Sequence, residues 1–178
     1  VGYLMEACRL LSWTRKNQVD HVVMGNVLQA GVGQIPSRQA QIAGGIPKEV
    51  SSETVNKVCA SGLRAAVMID QAVRAGDLQV GVAGGMESMS NIPYALQTAR
   101  EGFRMGNQTA TDLMIHDGLW CPFENWHMGN AGETVADAFK VSRDKQDAFA
   151  ADSHKKAAAA QAAGKFAAEI LPVTIPQK

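Results

Sequence analysis

Cys59 stands where a thiol could act as a nucleophile. It ends a short β-like run, Glu53 to Val58, and the small residues Ala60, Ser61 and Gly62 follow it. Leu63 to Arg74 then reads as a helix, so the cysteine is expected at or just before a helix N-terminus. The helix dipole and its free N–H groups favour an anion there, and a thiolate is the reactive form of cysteine. The competing reading is a buried cysteine packed as a small hydrophobe. Other chemistry-bearing residues are fewer. Glu87 follows Gly84-Gly85-Met86 and could be taken for a general base, but an acid at a strand end more often fixes a loop through hydrogen bonds. His127 lies in an aromatic stretch, where a lone histidine is commonly a structural hydrogen-bonder. His21, His116 and His154 read as structural or surface residues, Cys8 as core on a helix face, and Cys121 as incidental.

The elements that must position these residues alternate along the chain. Gly2 to Arg15 has helical spacing of its apolar residues, and Asp20 to Leu28 reads as a buried strand. Pro36 suits a helix start, and Gly44-Gly45 ends that helix. The strand, cysteine and second helix follow, with Gly76 as the helix stop. Leu78 to Ala83 is a further short β run. Helix, strand, helix, strand, helix, strand predicts an α/β fold around a largely parallel sheet. Such sheets carry their functional loops at the carboxyl ends of the strands, where Cys59 and Gly84 to Glu87 fall. After Ser90 the texture changes. Residues 91 to 130 lack sustained periodicity, yet Trp120, Phe123, Trp126 and Met128 argue for an ordered, packed loop. Gly132 to Lys140 reads as helix, and Ser142 can cap another that runs to Gly164. Leu171 to Ile175 suggests a final short strand.

Of the 178 residues, 46% are hydrophobic and 19% charged, which suits a soluble globular protein of one domain, or of one domain with an attached subdomain. Seventeen basic residues balance seventeen acidic ones, and no basic stripe points to nucleic acid. No apolar run approaches the roughly 18 residues of a membrane span. Three widely spaced cysteines without a CxxC pair fit neither a disulfide framework nor a zinc site, so a reducing compartment is expected. Val1 in place of Met reads as a start inside a longer protein.

Asn56-Lys57-Val58-Cys59-Ala60-Ser61-Gly62 followed by Gly84-Gly85-Met86-Glu87-Ser88-Met89-Ser90 resembles the thiolase family. The resemblance continues through Asp117-Gly118-Leu119, His127-Met128-Gly129, Arg143-Asp144-Lys145-Gln146-Asp147 and Ile170-Leu171-Pro172-Val173. It covers essentially the whole chain. It implies acyl transfer on coenzyme A thioesters: Cys59 attacks a thioester or 3-keto carbonyl, an acyl-enzyme forms, and a second thioester or coenzyme A takes the acyl group. Its backbone N–H would help hold the oxyanion. By the same resemblance Leu119, His127 and Met128 line the pantetheine and acyl pocket. The expected partners are acetyl-CoA, acetoacetyl-CoA and coenzyme A. No metal, prosthetic group, nucleic acid or membrane is implied. The intact protein is expected to be a homodimer or homotetramer, cytoplasmic if bacterial, with mitochondria or peroxisomes open if eukaryotic.

The resemblance also implies what these residues lack. A complete thiolase has two similar α/β halves. The second half supplies a Gly-His-Pro histidine that activates the nucleophile, an Asn-Glu-Ala-Phe asparagine for the oxyanion and a Cys-x-Gly-Gly-Gly cysteine for the Claisen step. None of these motifs occurs here, nor does the opening strand with its Arg-Thr-Pro signature. The expected organisation is a partial N-terminal thiolase α/β domain over 1–90 and a substrate-binding loop domain over 91–178, without the C-terminal domain. His127-Met128-Gly129 after Asp117-Gly118-Leu119 favours the short-chain acetoacetyl type. A longer-chain 3-ketoacyl-CoA thiolase is the near alternative, and a non-catalytic acyl-CoA-binding relative is another. The chain alone is expected to be inactive and to expose apolar surface where its other parts would pack.

Overall fold

The computed structural model describes residues 18–174. The helix expected over Gly2 to Arg15, with Cys8 on it, lies outside the described residues. The chain divides into two compact units, the first ending at Trp120 and the second beginning at Cys121. The residues from 91 to 120 therefore belong with the strands and helices before them.

Three parallel strands form the centre of the first unit, in the order β2, β1, β3: β1 is His21–Gly25, β2 Ser51–Val55 and β3 Gly81–Gly85. Helix α1, Pro36–Ala43, connects β1 to β2, and helix α2, Ser61–Ala75, connects β2 to β3. This is the expected α/β arrangement with a parallel sheet. As the central strand, β1 must be apolar on both faces. Val22 and Met24 pack with Val19 and Ile46 on one face, while Val23 packs with Ala65 and Ile69 of α2 on the other. Val22 and Val23 are fully buried, each worth roughly 1.5–3 kcal/mol of transfer free energy. Polar groups seat α1. Ser37 Oγ accepts hydrogen bonds from Ser52 and Thr54, and the Gln41 amide donates to the Pro47 and Val50 carbonyls.

The boundaries depart from the sequence reading in instructive ways. Strand β1 stops at Gly25, not Leu28, because the N–H groups of Val27 and Leu28 leave the ladder and bond the Glu87 carboxylate. Strand β2 stops at Val55, because Asn56 Oδ1 takes the Val58 N–H and turns the chain. Strand β3 lies at Gly81–Gly85 rather than Leu78–Ala83, although glycine weakens a strand. The reason is close approach: a Cβ on Gly81 would lie 2.5 Å from Ile69 Cγ2 of α2. Helix α2 ends as expected at Gly76, with φ +84°. Residues 91 to 120 hold two-residue antiparallel strands, β4 (Tyr94–Ala95) and β5 (Thr111–Asp112), and one π-helical turn, Ile115–Leu119.

The second unit carries helix α3, Met128–Ala138, and helix α4, Arg143–Ala162. Helix α3 starts at Met128, earlier than Gly132, because His127 caps it: Nδ1 accepts the Gly129 N–H at 3.0 Å. Ser142 caps α4 through the Lys145 N–H, as its position suggested. The strand expected at Leu171 to Ile175 is absent over 171–174, and Ile175 lies outside the described residues. Pro172 has no N–H to give a ladder there. Among the described residues no helix is long and apolar enough to cross a membrane.

Candidate active site

Cys59 lies in the five-residue connection between β2 and α2, two residues ahead of the helix. Its thiol is free and exposed, so the buried-hydrophobe alternative fails. A compact knot holds this connection. Ser61 Oγ accepts the Lys57 N–H at 2.8 Å and donates to the Val58 carbonyl at 2.6 Å. Asn56 Oδ1 accepts the Val58 N–H at 2.9 Å. Together these bonds force Val58 to φ +47°, a left-handed conformation that β-branched residues rarely adopt. Such a conformation costs on the order of 1–3 kcal/mol and persists only where its surroundings over-determine it. Here it turns the chain sharply just before the exposed Cys59.

Glycines bring this turn onto the sheet. A Cβ on Gly25, the last residue of β1, would lie 2.5 Å from Gly62 N and 2.5 Å from the Ser61 carbonyl carbon. One on Gly85 would lie 3.5 Å from Gly62 Cα. The first turn of α2 therefore rests directly on the carboxyl ends of β1 and β3, where parallel sheets place their chemistry. Glu87 locks the neighbouring loop. Its Oε1 accepts from Asn26 Nδ2 at 2.8 Å and from the Leu28 N–H at 3.0 Å, and Oε2 accepts from the Val27 N–H at 3.0 Å. Asn26 is itself buried, donates a second bond to the Met86 carbonyl, and bonds the Val55 carbonyl through its N–H. One asparagine and one glutamate thus tie together the ends of all three strands.

Two clefts meet at Cys59. One, of about 320 Å³, is lined by Gly25, Gly62, Gly85, Ser61 and Met86. The other, of about 180 Å³, is lined mainly by apolar groups from Leu28, Met89, Gly118 and Leu119. Val27, Val58, Cys59 and Glu87 border both. An exposed thiol between a glycine-floored cleft and an apolar compartment suits a nucleophile with room for an electrophile on one side and an apolar chain on the other. A further cavity of about 320 Å³, lined among others by Asn26, Gln39, Glu87 and Ser88, does not include Cys59.

The sequence-derived residues divide accordingly. Cys59 and Leu119 border one compartment. His127 and Met128 belong to the second unit, at the start of α3, where the His127 ring caps the helix. His21 bridges strands, with Nδ1 2.6 Å from Ser51 Oγ and Nε2 3.1 Å from Glu53 Oε1. His116 pairs with Asp117, and His154 bonds a carbonyl of its own helix. Leu28, Met89 and Gly118 were missed from sequence. Their one local signal is the aspartate-glycine-leucine run at 117–119, and nothing local marks Leu28 or Met89.

The family profile described as thiolase, N-terminal domain, matches residues 9–178. A probable acetyl-CoA acyltransferase of Staphylococcus epidermidis is 52% identical over 162 residues, covering 91% of this chain and 41% of that protein. An acetyl-CoA acetyltransferase of Cupriavidus necator is 50% identical over 164 residues, 92% of this chain and 42% of its own length. Another, of Pseudomonas aeruginosa, is 50% identical over 161 residues, 90% and 41% respectively. The chain thus spans about two fifths of the length of these curated relatives. A match over nearly the whole chain, joined to a parallel sheet with an exposed cysteine at its carboxyl edge, places this chain in the thiolase family, as part of its N-terminal region.

Proposed function

We propose that this chain is the acyl-accepting part of a coenzyme A-dependent acyltransferase that condenses two acetyl-CoA to acetoacetyl-CoA and coenzyme A, or runs the reverse thiolysis. The observation that carries the reading is the exposed Cys59 thiol between its two clefts at the sheet edge. The relatives' names, acetyl-CoA acetyltransferase among them, support it. In the synthetic direction the Cys59 thiolate attacks the thioester carbonyl of acetyl-CoA. The tetrahedral oxyanion collapses, the C–S bond to coenzyme A breaks, and the departing thiolate takes a proton. A second acetyl-CoA loses an α-proton, its carbanion attacks the acetyl-cysteine carbonyl, and the Cys59 thiolate is regenerated as acetoacetyl-CoA leaves.

Leu119, His127 and Met128 are the proposed contacts for pantetheine and the acyl group. The base that activates Cys59 and the acid/base of the condensation are assigned to the other half of the protein. These 178 residues alone are therefore expected not to turn over. The intact protein is proposed to be a homo-oligomer acting in the cytoplasm on coenzyme A thioesters, without a metal or prosthetic group.

Incubation of the full-length protein with acetyl-CoA, followed by peptide mass analysis, tests the central step. One acetyl group is expected on Cys59, with protection of Cys59 from iodoacetamide, and Cys59→Ala should abolish both acetylation and turnover. A folded full-length protein whose Cys59 neither acetylates nor alkylates would overturn the reading.

A further inference from the structure

The compartment beside Cys59 is larger than an acetyl group requires. Its volume is about 180 Å³, whereas a water-sized group takes a share of about 30 Å³. That leaves room for roughly six such groups, against the two carbons and one oxygen of acetyl. We propose that Leu28 and Met89 are specificity-determining residues that set the length of the acyl chain Cys59 carries, and that the compartment takes short unbranched acyl groups beyond acetyl. This rests on the reading of Cys59 as acyl carrier and adds to it the chain length and the residues that limit it.

The two walls differ in stiffness. Leu28 is 4% exposed, and its N–H is held by Glu87 Oε1. A Cβ on Gly118 would already lie 3.0 Å from Leu28 Cδ2, so the Leu28 side chain is wedged against the turn that carries Leu119. It is a fixed stop. Met89 is 42% exposed and begins a single 3₁₀ turn, Met89–Asn91. An unbranched thioether side chain at a half-open position can change rotamer to admit a longer chain. Glu87 also borders the compartment, but its carboxylate already accepts three hydrogen bonds from the loop beside it. The lining that remains for a chain is apolar, and one methylene in an apolar pocket shifts kcat/KM by roughly 10-fold or more.

The test measures thiolysis by the full-length protein of 3-oxobutanoyl-CoA and 3-oxohexanoyl-CoA, which place acetyl and butanoyl on Cys59 respectively. Wild-type protein is expected to accept both. Met89→Phe should lower the ratio of kcat/KM for the longer over the shorter substrate about 10-fold, and Leu28→Ala should raise it by a similar factor. Because Leu28 is buried, its variant could unfold; the half-exposed Met89 then decides alone. A ratio unmoved by Met89→Phe, with Cys59 acylated by both substrates, overturns this inference and leaves Cys59 as acyl carrier intact. A wild-type Cys59 that no thioester acylates overturns the acyl-carrier reading itself.

Discussion

The two units of this chain each carry two α-helices among the described residues and pack very differently. The first surrounds β1 with apolar groups on both faces, and every buried hydrophobic residue among those described, Val19 to Ile69, belongs to it. In the second, α3 and α4 bury none of their residues, and Phe139 and Phe149 are 77% and 78% exposed. Burial, not helix propensity, supplies most helical stability in proteins. The first unit therefore holds its helices by its own sheet, whereas the alanine-rich α4 is held by propensity, the Ser142 cap and exposed i,i+4 pairs such as Arg143–Asp147. Each such pair contributes only about 0.3–0.5 kcal/mol. The lesson is functional as well. The turn that places Cys59 is anchored on a buried sheet, whereas the helix that follows His127 and begins at Met128 buries none of its residues.

The sharpest way to test this contrast is one substitution with opposite signs in the two units. Gly25→Ala drives a methyl group into the backbone of Ser61 and Gly62, where nothing flexible can yield. It is expected to destabilise the protein by about 3 kcal/mol, at the upper end for overpacking. Gly132→Ala, inside α3 with nothing within 4 Å of the new methyl, should instead stabilise by about 0.5–1 kcal/mol. Urea unfolding monitored by circular dichroism measures both. Equal and small effects would mean that the first unit is as loosely packed as the second.

Side-chain truncation gives a smaller contrast. Val22→Ala empties space at a fully buried position and should cost about 2 kcal/mol. Phe149→Ala removes a far larger group, yet from an exposed helix face, and should change stability by less than about 0.5 kcal/mol. A large loss from Phe149→Ala, read from the same unfolding curves, would show that α4 is buried in solution against another surface.

What the sequence disclosed follows the same division. The parallel α/β order, the Gly76 stop of α2 and the Ser142 cap are local signals, and each reappears in the structure. The end of strand β3 was misjudged because Gly84 and Gly85 read as strand breakers, and only the contacts of Gly84 with Met24 and of Gly85 with Gly62 explain why small residues are needed there. The end of β2 was misjudged because Lys57 and Val58 continue a β-like pattern that one side chain, Asn56, interrupts. The turn at Cys59 was legible because its neighbours form it. Its apolar compartment was not, since Leu28, Met89 and Gly118 come from three separate connections and meet only through folding.

Acid should reveal the smallest difference between the units. Asp20, exposed at the start of β1, accepts the N–H groups of Val80 and Gln79 and so has its carboxyl held below the ordinary carboxylate value. A carboxylate with a depressed folded-state pKa contributes stability above its unfolded value, about 3.9, and loses it as pH falls through the lower folded value. Amide exchange at Val80 and Gln79 should therefore accelerate as pH is taken below about 4, after correction for intrinsic exchange. Asp20→Asn should accelerate it at neutral pH and remove most of the further change in acid. In α4 the carboxylates of Asp147 and Asp152 face exposed cations one helical turn away, and such surface pairs contribute little to stability. A Val80 and Gln79 exchange rate that stays unchanged below about pH 4 would show that the Asp20 carboxylate does not hold these two N–H groups.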